Sequence, residues 1–486
     1  MKRLKNILEN IDYINALGSL DINISSIKLD SRKVLKDDAF VAIEGELSDG
    51  HDFINQAINK GAIAIICQKI PNNLNEKITY IFVNDTNSAL SQIASNYFEN
   101  PSKNLKIIGI TGTNGKTTIA TLLYTLFNNL GYKSGLVSTI AYYIGNKKIK
   151  STHTTPDAIM LNSLFSDMIK DNCEYCFMEV SSHSISQKRI GGIEFKGAVF
   201  TNLTHDHLDY HKTFKNYLDT KKSFFDNLEK SAFSIINNDD KNGKIMQQNT
   251  VSKKYSYSIK SDADYKGKII ESHFDSTLIS INNIELWTRF TGDFNASNLT
   301  AVYSTASLCG LNKEEILKGI SELKPVAGRF ETIQINGITG IVDYAHTPDA
   351  LKNVLETIIK IKTEKQTLIT VVGAGGNRDK TKRPIMAKVA VNYSDKLILT
   401  SDNPRTEPPT SILDDMERGI EQSDRKKVIR ITDRKEAIKT ACLFAKKGDI
   451  ILIAGKGHED YQEIMGERFY FDDKIVFEEQ MEIINN

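Results

Sequence analysis

The segment TGTNGKTT, residues 111–118, has the residue types and spacing of a loop that binds phosphate groups. Gly112 and Gly115 allow backbone N–H groups to approach phosphate oxygens, and Lys116 supplies a positive charge. Thr117 supplies a hydroxyl that can bind Mg²⁺. The segment departs from the strict pattern only at the position of its first glycine. It therefore predicts a nucleotide site.

Two elements around this loop would hold it in place. The apolar run KIIGI before it is typical of a buried strand. IATLLYTLFNNLGY after it places apolar residues at helical spacing, and Gly131 marks the helix end. The loop amides would thus lie at a helix N-terminus, which favours anions. A chance glycine turn is the alternative, and this context disfavours it.

Acidic and histidine side chains follow two further apolar runs. CFMEV ends in Glu179, and GAVFTNL leads to THDHLDYH. The charged and imidazole side chains of that segment are His205, Asp206, His207, Asp209 and His211. Alone they suggest zinc as readily as any other metal. A nearby nucleotide favours Mg²⁺ and oxygen ligands such as Glu179, with His205 and His211 expected to cap or hydrogen-bond the turn.

Composition excludes several classes of protein. With 62 basic and 61 acidic residues, the chain has no overall field for nucleic acid or an anionic membrane. No apolar run reaches the roughly 18 residues that span a bilayer, and MKRLKNILENIDYIN lacks the apolar core of a signal peptide. We therefore predict a cytoplasmic protein without membrane insertion.

The five cysteines are too few, and odd in number, for a disulfide framework. Cys173 and Cys176 form a CxxC motif, but no second pair follows it. Because the motif continues into CFMEV, a buried strand explains it better than zinc or redox chemistry.

The length of 486 residues predicts about three domains. Boundaries near FENPSKN and SELKPVAGRFE divide the chain into residues 1–103, 104–325 and 326–486. In the second and third parts, short apolar runs alternate with helical stretches, which indicates α/β domains with parallel sheets covered on both faces. In the third part, TGIVDYA, TLITVVGAGG, DKLILTSD and DIILIAGKG end in polar or glycine-rich turns, where open sheets bind ligands.

Ten motifs, in order along nearly the whole chain, resemble those of the Mur ligases. They are TGTNGKTT, HTTPD, EVSSHSISQKR, FTNLTHDHLDYH, NYLDTK, GDFNASN, GRFE, DYAHTPDAL, DNPRTEPP and AGKGHE. The order is most similar to that of the members that add the third residue of the peptidoglycan stem peptide. The resemblance implies an N-terminal UDP-binding α/β domain, a central P-loop ATPase-like domain with a parallel sheet, and a C-terminal Rossmann-like domain.

The resemblance further implies the reaction and its partners. The expected enzyme is an ATP-dependent ligase that adds meso-2,6-diaminopimelate to UDP-N-acetylmuramoyl-L-alanyl-D-glutamate (UDP-MurNAc-L-Ala-D-Glu). An acyl phosphate would be the intermediate, and ADP and phosphate the by-products. Mg²⁺ is the implied cofactor, all partners are small molecules, and a monomer is expected.

Roles for individual residues also follow from the resemblance. ATP-binding positions are matched by Gly112, Thr113, Asn114, Gly115, Lys116, Thr117, Thr118, Asn298, Arg329 and Asp343. Acceptor-binding positions are matched by Leu29, Ser31, residues 46–48, Thr154, Thr155, Ser181, Gln187 and Arg189. Metal-binding positions are matched by Thr117, Glu179, His207 and Lys221, the lysine as a carbamate. Catalytic roles fall to Lys116, His207 and Lys221.

The amino-acid site is the third set. Its members by resemblance are Arg378, Asp402, Asn403, Pro404, Arg405, Gly455 and Glu459. Arg405 is the informative residue, because a guanidinium can pair with the distal carboxylate that diaminopimelate has and lysine lacks. A close analogue such as lanthionine remains open. The alternative role for Arg405 is to brace its turn through Glu407 or a backbone carbonyl.

Two other functions remain as alternatives. Folylpolyglutamate synthetase shares the phosphate loop and the acyl-phosphate route, but the DNPR and GKGHE segments argue against it. A nucleotide-dependent switch would need neither a second metal site at Lys221 nor a third α/β domain. Phosphate release in the presence of candidate substrates would separate all three.

Overall fold

The computed structural model describes residues 1–45 and 48–485, so that Glu46 and Leu47 of the predicted acceptor stretch lie outside the described residues. Three large sheets, of five, eleven and six strands, follow one another along the chain. Within the described part of the chain, no helix is long and apolar enough to cross a membrane.

The N-terminal part folds around the five-stranded sheet, ordered β2-β7-β6-β5-β4, which is parallel except at β2. The strands are β1 (Lys2–Arg3), β2 (Tyr13–Leu17), β3 (Asn23–Ile24), β4 (Ile27–Lys28), β5 (Asp38–Val41), β6 (Ala62–Cys67) and β7 (Thr79–Val83). The helices are α1 (Leu4–Ile7), α2 (Ile54–Asn59) and α3 (Thr86–Tyr97), with 3-10 turns at Ser31–Lys33, Gly50–Phe53 and Pro101–Asn104.

The central part contains the eleven-stranded sheet. Its strands are β8 (Lys106–Thr111), β9 (Ser134–Val137), β10 (Ala141–Ile144), β11 (Lys147–Lys150), β12 (Tyr175–Glu179), β13 (Phe195–Phe200), β14 (Phe233–Asn237), β15 (Lys253–Ser258), β16 (Tyr265–Ser272), β17 (Thr277–Ile281) and β18 (Ile284–Thr288). Its helices are α4 (Lys116–Asn129), α5 (Ala158–Lys170), α6 (Ser182–Ser186), α7 (Leu208–His211), α8 (Phe214–Asp226), α9 (Gly243–Met246), α10 (Asp293–Leu308) and α11 (Lys313–Glu322).

The order of the central sheet places the predicted site residues side by side. The order is β11-β10-β9-β12-β8-β13-β14-β15-β16-β17-β18, with parallel pairing from β9 to β16 and antiparallel hairpins at both edges. Strand β8 lies between β12 and β13. The phosphate loop, the end of β12 at Glu179 and the segment after β13 therefore meet at one edge, where open α/β sheets bind ligands.

The C-terminal part folds around the six-stranded sheet, ordered β19-β20-β24-β21-β22-β23, in which only β19 is antiparallel. The strands are β19 (Glu331–Ile335), β20 (Ile338–Asp343), β21 (Leu368–Val372), β22 (Lys396–Leu399), β23 (Val428–Arg430), β24 (Ile450–Ala454), β25 (Tyr461–Ile464) and β26 (Glu467–Tyr470). The helices are α12 (Pro348–Ile361), α13 (Lys382–Tyr393), α14 (Pro409–Glu417), α15 (Arg434–Phe444) and α16 (Asp473–Asn485), with a 3-10 turn at Arg425–Lys427.

The strands and helices predicted from apolar patterns are confirmed. KIIGI, CFMEV and GAVFTNL form the neighbouring buried strands β8, β12 and β13. Cys173 and Cys176 are both buried and unpaired, as a strand interpretation requires. In α12, Thr347 caps the helix by accepting a hydrogen bond from the Ala350 amide, and its apolar face is buried.

A fully buried ion pair joins the strand ends of the C-terminal sheet. Arg434 donates to both carboxylate oxygens of Asp473 at 2.7 Å. It also donates to the carbonyl of Ser401, which follows β22, and to the carbonyl of Ala454, which ends β24. We expect Asp473→Ala to destabilise this domain by about 3–5 kcal/mol, because an unpaired guanidinium would remain buried. Urea unfolding measures the loss of stability, and hydrogen exchange at the amides of β22 and β24 shows whether it arises in this part of the sheet.

A control lies on α15, the helix that carries Arg434. Glu436 is exposed and forms only a surface ion pair with Lys439. Glu436→Ala should change stability by less than about 1 kcal/mol. Equal effects of the two substitutions would contradict the structural role of the buried pair.

Candidate active site

The phosphate loop is held in an open conformation by the segment after β13. The Thr113 amide donates to the Asn202 carbonyl at 2.8 Å, and the Thr201 hydroxyl donates to the Asn114 carbonyl at 2.6 Å. Gly112 has a φ of +150°, and a Cβ there would lie 1.8 Å from the Thr201 oxygen. Only glycine fits this position, and Asn202 also accepts a hydrogen bond from the Asn114 amide at 2.9 Å through its side-chain oxygen.

Lys116 lies at the N-terminus of α4, and its side chain folds back onto the phosphate loop. Its ammonium donates to the carbonyls of Gly112 at 2.9 Å and Thr113 at 2.7 Å. Burial lowers the pKa of Lys116, while the carboxylates of Glu179 and Asp206 act in the opposite direction. Neutral carbonyls compensate a buried cation poorly, so an anionic phosphate would be a better partner for this lysine.

The predicted metal ligands occupy the same edge of the sheet. Glu179 is almost completely buried, and its carboxylate accepts hydrogen bonds from the amide and hydroxyl of Thr139. His207 has a φ of +54° and lies 3.4 Å from Asp206. Burial lowers the pKa of His207, which leaves a neutral ring able to bind a metal. Thr117 presents its hydroxyl beside them in the same cavity.

No group of three or more His, Cys, Asp or Glu side chains is arranged to hold a metal ion within residues 1–45 and 48–485. The predicted set contains only two such residues, Glu179 and His207, with a hydroxyl and a lysine as the other members. A buried carboxylate, a neutral imidazole and a hydroxyl fit Mg²⁺ as a partial ligand set, which phosphate oxygens would complete.

Lys221, on α8, is buried beneath the phosphate loop. Its amine donates to the Gly112 carbonyl at 3.0 Å and lies 3.3 Å from the Thr111 hydroxyl oxygen. Burial and the charge of Lys116 hold the pKa of Lys221 well below its usual range. The lowered pKa favours the neutral amine, which is the form that adds carbon dioxide.

The two other histidines of THDHLDYH do not hydrogen-bond the turn as expected. His205 is half exposed and lies 3.6 Å from Asp379 in the C-terminal domain. His211 is buried against Tyr210 and Tyr217, and its Nε2 has no hydrogen-bond partner among the described residues. The sequence pattern pointed to this group of acidic and histidine residues, but it did not identify the partner of each histidine ring.

Residues at the junction of the central and C-terminal domains reach the phosphate loop. The Arg329 guanidinium donates to the Thr117 hydroxyl at 3.2 Å and stacks on the Tyr344 ring. Asn298 approaches Gly115, where a Cβ would lie 2.7 Å from its side-chain oxygen. Asp343 accepts two backbone hydrogen bonds, and burial raises its pKa to about 6.

A second wall of the cavity carries the residues predicted to bind the acceptor. The Thr155 hydroxyl donates to the Glu179 carbonyl at 2.7 Å, and Arg189 donates to the Thr155 carbonyl at 2.8 Å. Gln187 accepts hydrogen bonds from the same guanidinium. Thr154 and Ser181 line the cavity nearby. The arrangement presents a cation and several hydroxyls, which suits an anionic ligand.

The ends of β22 and β24 carry a third set of polar residues. Asn403 donates to Glu459 at 2.7 Å, and Lys456 lies 3.3 Å from the same carboxylate. Burial raises the pKa of Glu459, and the neighbouring carboxylate of Asp402 adds to this effect. Burial also acts to raise the pKa of Asp402, but Lys456 and Arg434 outweigh it and the net shift is downward.

Arg405 has a φ of +54°, which is unusual for a residue with a side chain. One terminal nitrogen, Nη1, donates to the Gly376 carbonyl at 2.7 Å, and Nε lies 3.8 Å from a carboxylate oxygen of Glu463. Glu407, the alternative partner considered from the sequence, instead binds Arg383. Arg405 therefore braces its turn through the Gly376 carbonyl, which is one of the two contacts that the alternative role proposed.

One cavity of about 1420 Å³ joins these three sets of residues. It is larger than the roughly 300–1,000 Å³ of a typical small-molecule site, so it has room for more than one substrate. The predicted residues in its lining are Gly112, Thr113, Asn114, Gly115, Lys116, Thr117, Thr118, Thr154, Thr155, Glu179, Ser181, Arg189, His207, Lys221, Asn298, Arg329, Asp343, Arg378, Asp402, Asn403, Arg405, Gly455 and Glu459.

Five of the predicted residues that the structure describes do not line this cavity: Leu29, Ser31, Ser48, Gln187 and Pro404. Gln187 and Pro404 stand directly behind it, next to Arg189 and Arg405. Leu29 and Ser31 lie in the N-terminal domain, where the Ser31 hydroxyl donates to Gln56 at 2.6 Å. Many other cavity residues escaped the sequence analysis, and four of them near the amino-acid set are Lys382, Tyr461, Glu463 and Arg468. Of these four, only Lys382 could have been suspected from the sequence, because it is the second basic residue after Arg378 in NRDKTK.

Comparison with known families finds three matches in succession along the chain. Residues 23–98 match "Mur ligase family, catalytic domain", residues 110–306 match "Mur ligase middle domain", and residues 328–457 match "Mur ligase, glutamate ligase domain".

Full-length relatives carry one name. UDP-N-acetylmuramoyl-L-alanyl-D-glutamate--2,6-diaminopimelate ligase of Bacteroides fragilis is 54% identical over 98% of this chain and 99% of its own length. The protein of the same name from Clostridium tetani is 42% identical over 99% of both chains.

Solved structures agree with the three-domain architecture. A structure titled with the same ligase name has a TM-score of 0.69 and 30% identity, and the match covers 100% of both chains. A MurF ligase from Thermotoga maritima in complex with ADP has a TM-score of 0.65 at 19% identity, covering 94% of this chain and 98% of that one. A folylpolyglutamate synthase from the same organism has a TM-score of 0.58 at 16% identity over 76% of this chain and 90% of its own, and shares the fold alone.

Proposed function

Because this chain belongs to the Mur ligase family, we propose that it is an ATP-dependent ligase that adds meso-2,6-diaminopimelate to UDP-MurNAc-L-Ala-D-Glu. The reaction forms an amide bond and yields ADP and phosphate. The main support is that a phosphate loop, an acceptor wall and an amino-acid site line one cavity.

The first step transfers the γ-phosphoryl group of ATP to the terminal carboxylate of the acceptor. Lys116 and the loop amides hold the phosphates and stabilise the charge that develops on the transferring group. Arg189 and the hydroxyls of Thr154 and Ser181 orient the anionic acceptor. Arg329, which contacts the loop at Thr117, adds positive charge from the other domain.

In the second step the amine of the incoming amino acid attacks the acyl phosphate carbonyl, and phosphate leaves from the tetrahedral intermediate. Residues at the ends of β22 and β24 hold the amino acid for this attack, which makes the step effectively intramolecular. Because the amino-acid set lies in the C-terminal domain, whereas the phosphate loop and the acceptor wall lie in the central domain, we expect closure of these domains to accompany turnover.

We also propose that Thr117, Glu179, His207 and a carbamate on Lys221 hold Mg²⁺. The metal would neutralise phosphate charge and polarise the phosphoryl oxygens. The neutral state of His207 and the buried carboxylate of Glu179 support this assignment.

Incubation with ATP and the acceptor, with and without candidate amino acids, tests the proposed function. Phosphate release should require both the acceptor and an amino acid, with meso-diaminopimelate preferred over lysine, and the same assay decides between meso-diaminopimelate and lanthionine. Folate in place of the acceptor should give no release. ATP hydrolysis without any acceptor would instead indicate a nucleotide switch.

Arg405 should discriminate between amino acids. We expect Arg405→Ala to lower kcat/KM for meso-diaminopimelate by roughly 10²-fold or more, because the distal carboxylate loses its charged partner. The value for L-lysine, which lacks that carboxylate, should change little. Initial rates of phosphate release with each amino acid provide the measurement.

Arg418 provides a control, since its side chain is 75% exposed and pairs only with Asp415 in the same helical region. Arg418→Ala should leave both amino acids unaffected. If wild type uses the two amino acids equally, or if Arg405→Ala lowers both by the same factor, Arg405 does not recognise the carboxylate.

Several expectations remain predictions: domain boundaries after residues 103 and 325, a monomeric state, a cytoplasmic location and the absence of nucleic-acid partners. Binding of UDP by Leu29, Ser31 and residues 46–48 is likewise a proposal. Its basis is the resemblance of the N-terminal segment to the family.

A further inference from the structure

A tight turn separates two of the residues proposed to bind the acceptor. Gln187 caps the C-terminus of α6, the chain turns at Lys188, and Arg189 follows. The Lys188 amide donates to the Ile185 carbonyl at 3.0 Å, and the Arg189 amide donates to the Ser184 carbonyl at 2.8 Å. Lys188 has a φ of +54°, at the position where a helix end of this kind usually carries glycine. The chain therefore carries a lysine where the backbone conformation favours glycine.

The Lys188 side chain reaches the N-terminal domain. Its ammonium donates to a carboxylate oxygen of Asp85 at 2.6 Å and to the Ser88 hydroxyl at 3.0 Å. Asp85 is the N-terminal cap of α3, and its other oxygen accepts hydrogen bonds from the amides of Asn87 and Ser88. Burial acts to raise the pKa of Asp85, but the Lys188 ammonium and the helix amides outweigh it and the net shift is downward. The carboxylate thus stays ionised and paired with the lysine of the turn.

The same face of α3 also holds the backbone of the turn. The Ser91 hydroxyl donates to the Lys188 carbonyl, and the Ser95 hydroxyl donates to the Gly192 carbonyl at 3.2 Å. Both serines are almost completely buried. Gly192 has a φ of +70°, and a Cβ there would lie 3.0 Å from the Gln92 side-chain oxygen. These side chains of α3, spaced three and four residues apart, form one polar stripe that lies along the turn.

The other side of the turn belongs to the acceptor wall. The Arg189 guanidinium donates to the Gln187 side-chain oxygen and, at 2.8 Å, to the Thr155 carbonyl. Resting on the proposed function, we propose that Lys188 is a positioning residue, through which α3 of the N-terminal domain fixes Gln187 and Arg189 for the acceptor. Because the turn is held at both its side chain and its carbonyl, the guanidinium is oriented before the acceptor binds.

The test compares KM for UDP-MurNAc-L-Ala-D-Glu, KM for ATP and kcat in wild type, Lys188→Gly, Lys188→Arg and Asp85→Asn. Glycine suits the left-handed turn and asparagine still caps a helix, so both substitutions remove the ion pair and preserve the local backbone. Each should raise KM for the acceptor about fivefold, the loss of one charge-assisted hydrogen bond. The KM for ATP and kcat should stay within about twofold of wild type. Lys188→Arg keeps a cation for Asp85 and should retain most of the acceptor affinity.

Two combinations and one control show how Lys188 acts. Lys188→Gly together with Asp85→Asn should have no larger effect than either alone, because both remove the same contact. In an Arg189→Ala background, Lys188→Gly should not lower kcat/KM for the acceptor further, because Lys188 acts through Arg189. Asp433 likewise caps a helix, α15, but in the C-terminal domain, so Asp433→Asn should match wild type.

The outcomes are distinguishable. An unchanged KM for the acceptor in Lys188→Gly and Asp85→Asn would overturn the inference. An equal rise in the KM for ATP, or an equal fall in kcat, would also overturn it, because the ion pair would then only hold the domains together. The same holds if Lys188→Gly has its full effect in the Arg189→Ala background. All these results require an active wild type, whereas a wild type without acceptor-dependent phosphate release would overturn the proposed function itself.

Discussion

Alanine in place of Lys116 is expected to lower the rate of ligation by roughly 10³-fold, the largest effect of any single substitution considered. The ammonium lies at the phosphate loop and donates hydrogen bonds to the carbonyls of Gly112 and Thr113. Phosphate oxygens of ATP would replace those carbonyls as partners. The charge is then fixed where negative charge develops during phosphoryl transfer, which is why its loss affects kcat and not only binding.

Acceptor-dependent phosphate release at saturating ATP measures this effect. We expect the fold to persist, because the hydrogen bonds of the Lys116 ammonium are to carbonyls of its own loop. Far-UV circular dichroism can verify this. Lys103, an exposed lysine that pairs only with Glu194 at 3.8 Å, serves as the control. A Lys116→Ala enzyme with normal turnover would exclude TGTNGKTT as the nucleotide site.

Substitution of Lys221 by alanine should lower activity by about 10²-fold or more, and short carboxylates such as acetate or propionate should restore part of it. Burial lowers the pKa of Lys221 and so favours its neutral amine, and a neutral amine adds carbon dioxide to form a carbamate with release of one proton. The carbamate is an anionic bidentate group able to hold a second Mg²⁺. Added carboxylates can occupy the space that the shortened side chain leaves.

The modification itself can be observed apart from activity. Enzyme equilibrated with ¹³C-bicarbonate should give a carbamate NMR signal in wild type that Lys221→Ala lacks. Lys215 lies exposed on the same helix, and Lys215→Ala should retain both the signal and the activity. A fully active wild-type enzyme without the carbamate signal would refute the assignment.

The sequence alone determined the local parts of the site. The phosphate loop could be recognised because glycine, lysine and threonine are required at fixed spacing, and because strand and helix periodicity is visible within a few residues. Glu179 could be identified for the same reason, as the polar residue that ends a buried strand. Resemblance over the whole chain then indicated the three-domain architecture, which the comparisons and the structure confirm.

Tertiary structure decided which separate segments meet. The pairing of β8 between β12 and β13 brings Lys116, Glu179 and His207 to one edge, and no sequence spacing specifies that order. The alternative role for Arg405 paired it with Glu407, two residues away, or with a backbone carbonyl, whereas folding also places Glu463 beside it from a hairpin 58 residues later. His205 likewise faces Asp379 rather than its own turn. Such contacts depend on how strands and domains pack, because short-range propensity carries no information about residues that are distant in the chain.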